Sequence, residues 1–133
     1  MANLTVTNVD LGNVILQNAE FSDDTLTLAA NISADAGLIL ARNTTSGFLV
    51  PFAVAGTGGT GIPLAILTYD VEGSVAGGDF PIRAGVSGSY RKERLIILAQ
   101  APSTVITKAI SDLLRDYSLI PIDVTELNFL DNQ

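Results

Sequence analysis

Apolar residues in this chain fall into short runs divided by Gly, Asn, Asp, Ser and Thr, the pattern of strands joined by turns. Leu4, Val6 and Val9 begin an extended N-terminal stretch, and Val14-Ile15-Leu16 is a short apolar run. Leu26, Leu28 and Ala30 alternate with Thr25, Thr27 and Ala29, which predicts a half-buried strand. Residues 37–42 and 48–52 read as two strands around the turn Asn43-Thr44-Thr45-Ser46-Gly47, whose side chains bond their own backbone or tolerate positive φ. Pro51 has no N–H, so the second of these strands lies at an edge or ends there. Ile62 to Val71 is a β-rich run, residues 80–88 an irregular strand with glycines for a bulge, and Arg91-Lys92-Glu93-Arg94 a charged turn. Leu95-Ile96-Ile97-Leu98 is a compact buried strand or the lead into the next element.

The period changes once. Val105, Ile106, Ala109, Ile110, Leu113, Leu114 and Tyr117 recur at spacings of three and four, with Lys108, Ser111, Asp112 and Arg115 between them. This predicts one amphipathic helix over about 103–117, preceded by Pro102 and capped by Ser103. Leu119 to Val124 returns as a strand, and Glu126 to Leu130 forms an apolar tail that docks on its own domain or on a neighbouring subunit. No repeat and no linker divides the chain. The expected fold class is mostly β (α+β): residues 1–24 as an N-terminal arm or edge strands, and residues 25–133 as one β-rich domain.

Composition narrows what such a domain does. At 133 residues the chain can bury roughly two-thirds of its unfolded surface. Hydrophobic residues make up 47% and charged residues 16%, against about 25% charged in ordinary soluble domains, so partners are expected to cover part of the apolar surface. The net charge of −7 disfavours nucleic acid as a partner. Residues 1–41 carry no Lys or Arg but hold Asp10, Glu20, Asp23, Asp24 and Asp35, either an acidic arm for a basic partner or a solvated face. No apolar run is long enough to span a membrane, and the first residues lack the pattern of a secretion signal, so the chain reads as made in the cytoplasm.

Catalytic chemistry finds little footing. The sequence holds no His and no Cys, which removes the common nucleophile–base pairs, thiolate metal sites and disulfides. A Ser111–Lys108 pair would share one helix but face water, with no oxyanion hole. Asp23-Asp24 sits in a polar turn, unlike the buried acid that glycoside hydrolysis needs. Asp70 and Glu72 flank Val71 and would hold a calcium ion with a loop carbonyl, or else form a solvated strand end. Gly56-Thr57-Gly58-Gly59-Thr60-Gly61 spells a dinucleotide fingerprint, but the run after it is β-rich and begins with Pro63, where a phosphate-binding helix would be needed. A surface loop fits better. The two glycosylation sequons at Asn31 and Asn43 carry no weight without a secretion signal. The scattered aromatics make no stacking platform for bases. No enzyme, cofactor or metal is expected.

Several blocks, in order, carry a resemblance. They are Gly37-Leu38-Ile39-Leu40-Ala41 with its Thr/Ser/Gly turn and Leu49-Val50-Pro51-Phe52; Ile62 to Val71; Phe80 to Gly88; and Leu113 to Ile122. Over roughly residues 37–124 the chain resembles the lambda-type head decoration proteins of tailed bacteriophages. It departs from them at Ser118, where the family often has Gly, in the arm, and in the tail beyond Val124. The resemblance implies a small barrel, tulip-like, with one or two helices. It also implies a homotrimer on the outer surface of the virion, seated at three-fold sites and clamping the major capsid protein against packaged DNA, with the host cytoplasm as its place before assembly. The arm from Ala2 to about Leu16, with Ala2, Leu4, Val6, Val9, Val14 and Leu16 as contact residues, would add a strand to a capsid sheet edge. The alternatives are another phage part, such as a tail-tube or fibre-base subunit, and a small ligand-binding β domain.

Overall fold

The structure, a computed structural model, describes residues 14–97 and 106–122, with the side chains of Leu16 and Gln17 excepted. Its strands are β1 (Ile15–Leu28), β2 (Ile39–Arg42), β3 (Leu49–Pro51), β4 (Pro63–Leu67), β5 (Gly78–Arg91) and β6 (Leu119–Ile122), and its helix is α1 (Lys108–Asp116). The sheet order is β1-β3-β2-β4-β5-β6, and a further β1–β5 pairing closes the first five strands into a barrel. The β-rich barrel with one C-terminal helix matches the expected fold class.

The longest pairing is the antiparallel ribbon of β1 and β5, running from Leu28 opposite Gly78 to Ile15 opposite Tyr90. Its register shifts three times between Ile15 and Phe21, where Asn18 stands at φ 57°. Gly88 lies across from this bulge at φ +115°, and a Cβ there would come within 2.6 Å of the Ala19 Cα. Only glycine lets the two strands approach so closely at that angle. The outer edge of β5 serves two partners in turn: β4, antiparallel at Ala84 and Gly85, then β6, parallel from Gly88 to Arg91.

The runs Leu38-Ile39-Leu40-Ala41 and Ala65-Ile66-Leu67 are continuously apolar because β2 and β4 are buried on both faces. Leu40, Ala65 and Leu67 point to one side, into a cluster with Leu26, Leu28, Leu49, Ile82 and Ala84 drawn from all five barrel strands. Ile39, Ala41 and Ile66 point to the other side, where Ile106, Ile110, Leu114 and Leu119 cover them. Each fully buried aliphatic side chain in these clusters contributes about 1.5–3 kcal/mol. The alternation at Leu26 and Leu28 is buried as its period requires, and β1 ends there, leaving Ala30 exposed in the following turn. β3 pairs with β2 as the hairpin signal predicts and stops at Pro51.

The helix is shorter than its pattern. It starts at Lys108, not near Ser103, because Thr107 is extended (φ −71°, ψ 167°) and its hydroxyl accepts the Ile110 N–H at 3.3 Å. Residues 103–105 lie outside the described residues, as does the tail after Ile122. The buried face is Ile110, Ser111 and Leu114, so Ser111 turns inward and Ala109 outward, the reverse of the expected assignment. Ser111 is 5% exposed, and its Oγ has no hydrogen-bond partner among the described residues. After the helix Ser118 adopts φ 68°, the left-handed position past a C-cap where glycine is the favoured residue.

β6 carries a proline in a place that tolerates it. Gly88 N–H donates to the Ser118 carbonyl at 3.0 Å, so in this parallel ladder the backbone of Ser118 and Ile120 faces β5. Pro121 therefore faces away from β5, where its missing N–H breaks no pairing within the sheet.

Candidate functional site

Of the six expected contact residues, Ala2, Leu4, Val6 and Val9 lie outside the described residues. Val14 and Leu16 mark where the chain joins the domain. Val14 is 4% exposed and packs in the outer cluster, and its carbonyl accepts the Arg91 N–H at 2.8 Å. Leu16 lies in β1. Within residues 1–24, the described part from Ile15 onward belongs to the β1–β5 ribbon.

Charges in this region are partly spent inside the fold. The Asp24 carboxylate meets the Arg42 guanidinium at 2.7 Å, and Arg42 also donates to the Gly47 carbonyl at 2.8 Å, tying β1 to the β2–β3 turn. The hydrogen bond from Arg42 holds the Asp24 carboxyl below the usual carboxylate range. Asp23 lies 3.9 Å from Arg83, itself stacked over the Phe21 ring at 5.9 Å. The charged turn forms a short 3-10 segment, Lys92–Arg94, and Arg91 just before it is buried with Glu93 at 3.7 Å.

The surface offers apolar contact area more readily than chemistry. Phe21 and Val86 are exposed on the β1–β5 ribbon, and Tyr117 and Ile120 around β6. A groove of about 590 Å³ opens beside Val14, with Asp35, Asp70, Glu93 and Arg94 on its walls. Asp70 is already engaged, accepting the Ala36 N–H at 2.8 Å. Asp70 and Glu72 share a smaller neighbouring groove with Asp35, but no group of three or more acidic side chains among the described residues is placed to hold a metal ion. Ser111 and Lys108 do not form a pair facing water: Ser111 is buried and Lys108 exposed. The glycine-rich stretch 56–61 is a loop braced by Thr60, whose carbonyl accepts the Ala53 N–H and whose hydroxyl donates to Thr57, and strand β4 follows it. No helix there can receive a phosphate.

One residue passed over in the sequence proves central. Tyr90 is wholly buried in the outer cluster and donates from its hydroxyl to the Ser87 carbonyl at 2.8 Å. Gly85 makes the room, since a Cβ there would meet that hydroxyl. Burial pushes the phenol up to about 12, so it stays protonated and structural near neutral pH. The legible signal was the glycine five positions before an aromatic, easily masked by the charged turn that follows.

No curated protein matches the chain. The family model described as bacteriophage lambda head decoration protein D matches residues 5–114, which takes in β1 to β5 and most of α1. A five-stranded barrel with both faces of β2 and β4 covered, exposed apolar residues on its ribbon, and a match over most of its length lead to one assignment: the chain belongs to the lambda head decoration protein D family.

Proposed function

We propose that this protein coats the outer surface of a phage head as a homotrimer at three-fold and quasi-three-fold sites, clamping neighbouring major capsid subunits against the pressure of packaged DNA. Membership of a structural head-decoration family gives a role on the phage capsid. The observation that carries the finer reading is the match itself, which begins at residue 5 and so includes the stretch ahead of the barrel. Since Val14 is committed to the domain's own core, the contacts to the shell fall to residues before it: Ala2, Leu4, Val6 and Val9.

Such an arm adds a strand to an exposed sheet edge of the capsid protein. A single contact of about 1 mM is worth only about −4 kcal/mol. Three arms on one trimer act together because the second and third bind at high effective concentration. The test is co-sedimentation with undecorated, expanded heads, alongside the mass of the soluble protein. A chain lacking residues 2–13 keeps Val14 and the barrel; it is expected to stay trimeric and lose head binding. Undiminished binding by the shortened chain rejects the arm, and a monomer both in solution and on the head rejects the three-fold clamp.

A further inference from the structure

We propose that α1 and β6 form a flap that opens as one unit ahead of the barrel, uncovering Ile39, Ile66 and Tyr90 and freeing the outer edge of β5. Three features of the flap oppose its closure. Its helix has nine residues, too short to persist without packing. The Ser111 hydroxyl is desolvated on the buried face with no hydrogen-bond partner among the described residues. Ser118, which joins helix to strand, holds a left-handed conformation that disfavours every side chain relative to glycine. Among the described residues, what holds the flap is a four-residue parallel seam to β5 and the apolar contacts of Ile106, Ile110, Leu114 and Leu119. The barrel, by contrast, is closed on itself by the β1–β5 ribbon. Local openings of this kind follow the distribution of such contacts.

The seam supplies a discriminating probe. Gly88 belongs to a barrel strand, yet its N–H bonds the Ser118 carbonyl in the flap. Amide hydrogen exchange followed by NMR on the full chain is therefore expected to place Gly88 with Ser111 of α1, both faster than Leu67, whose N–H bonds Leu38 within the barrel. Ser118→Gly removes the left-handed penalty and is expected to slow exchange at Gly88 and Ser111 about fivefold, or about 1 kcal/mol at 1.4 kcal/mol per tenfold, while leaving Leu67 unchanged. Ser111→Ala is expected to slow Gly88 in the same direction. Exchange of Gly88 at the rate of Leu67, or equal shifts at all three amides in either variant, overturns the flap. None of these readouts involves head binding, so the result stands apart from the arm reading.

Discussion

The two apolar clusters on either side of β2 and β4 are assembled differently. The barrel cluster takes Leu26, Leu28, Leu40, Leu49, Ala65, Leu67, Ile82 and Ala84 from five strands bonded to one another in a closed ring. The outer cluster takes Ile106, Ile110, Leu114 and Leu119 from around a nine-residue helix and a four-residue strand, and buries Tyr90 and the edge of Ser111 with them. Hydrophobic area is similar in kind on both sides. The difference lies in the backbone, which is closed around one cluster and laid across the other, and in the Tyr90 hydroxyl and Ser111 side chain buried with the outer cluster.

The largest expected effect separates the two sides directly. Leu40→Ala and Leu114→Ala each truncate a side chain with no exposure, and each is expected to cost about 2–5 kcal/mol. In denaturant titrations Leu40→Ala lowers the midpoint of the whole transition, whereas Leu114→Ala produces an early loss of helical circular dichroism with the barrel still folded. Identical, single transitions for both variants would merge the clusters into one cooperative core.

Alkaline titration gives the next effect and acts on the outer side alone. The Tyr90 phenol is raised to about 12 by burial, from about 10 in an unfolded chain. Between those values the folded state holds a proton the unfolded state has released, so stability is complete below pH 10 and falls as pH rises toward 12. The loss approaches about 3 kcal/mol at 1.36 kcal/mol per pH unit. Tyr90→Phe is expected to flatten this dependence in unfolding curves measured from pH 9 to 12.

The smallest effect belongs to the barrel side. Asp24→Asn weakens the link from β1 to Arg42, and since Arg42 is partly exposed the expected loss is below about 1 kcal/mol. The Asp24 pKa is depressed, so its contribution is present above pH about 4 and fades as pH falls through the lower folded value. Thermal melts at pH 3 and pH 7 should show the variant and the parent converging at the acid end.

The barrel was the more legible half. The apolar runs in residues 37–42 and 62–71 announce strands, and the Asn43–Gly47 turn announces the hairpin between β2 and β3; that β2 and β4 are covered on both faces emerges only from the packing. The β1–β5 ribbon was read only in fragments, because β5 spends Gly85, Ser87, Gly88 and Ser89 on bulges and close approach where a strand signal would place β-branched residues. The helix boundary moved because either Ser103 or Thr107 can cap, and only packing chooses between them. Polarity alone puts Ser111 in water, yet its position on α1, one residue past Ile110 and three before Leu114, turns it inward. The departure at Ser118 was visible in sequence, while its meaning needed the backbone angle. As for the arm, the sequence suggested its contact residues, and the structure bears only on Val14 and Leu16.

Pro121 carries a consequence for how this barrel could pair with another chain. Its missing N–H faces outward from β6, on the side of that strand away from β5. A strand from another molecule settling there would find a gap in the ladder where a donor is needed. Sheet growth from one molecule into the next is thereby disfavoured at this position of β6.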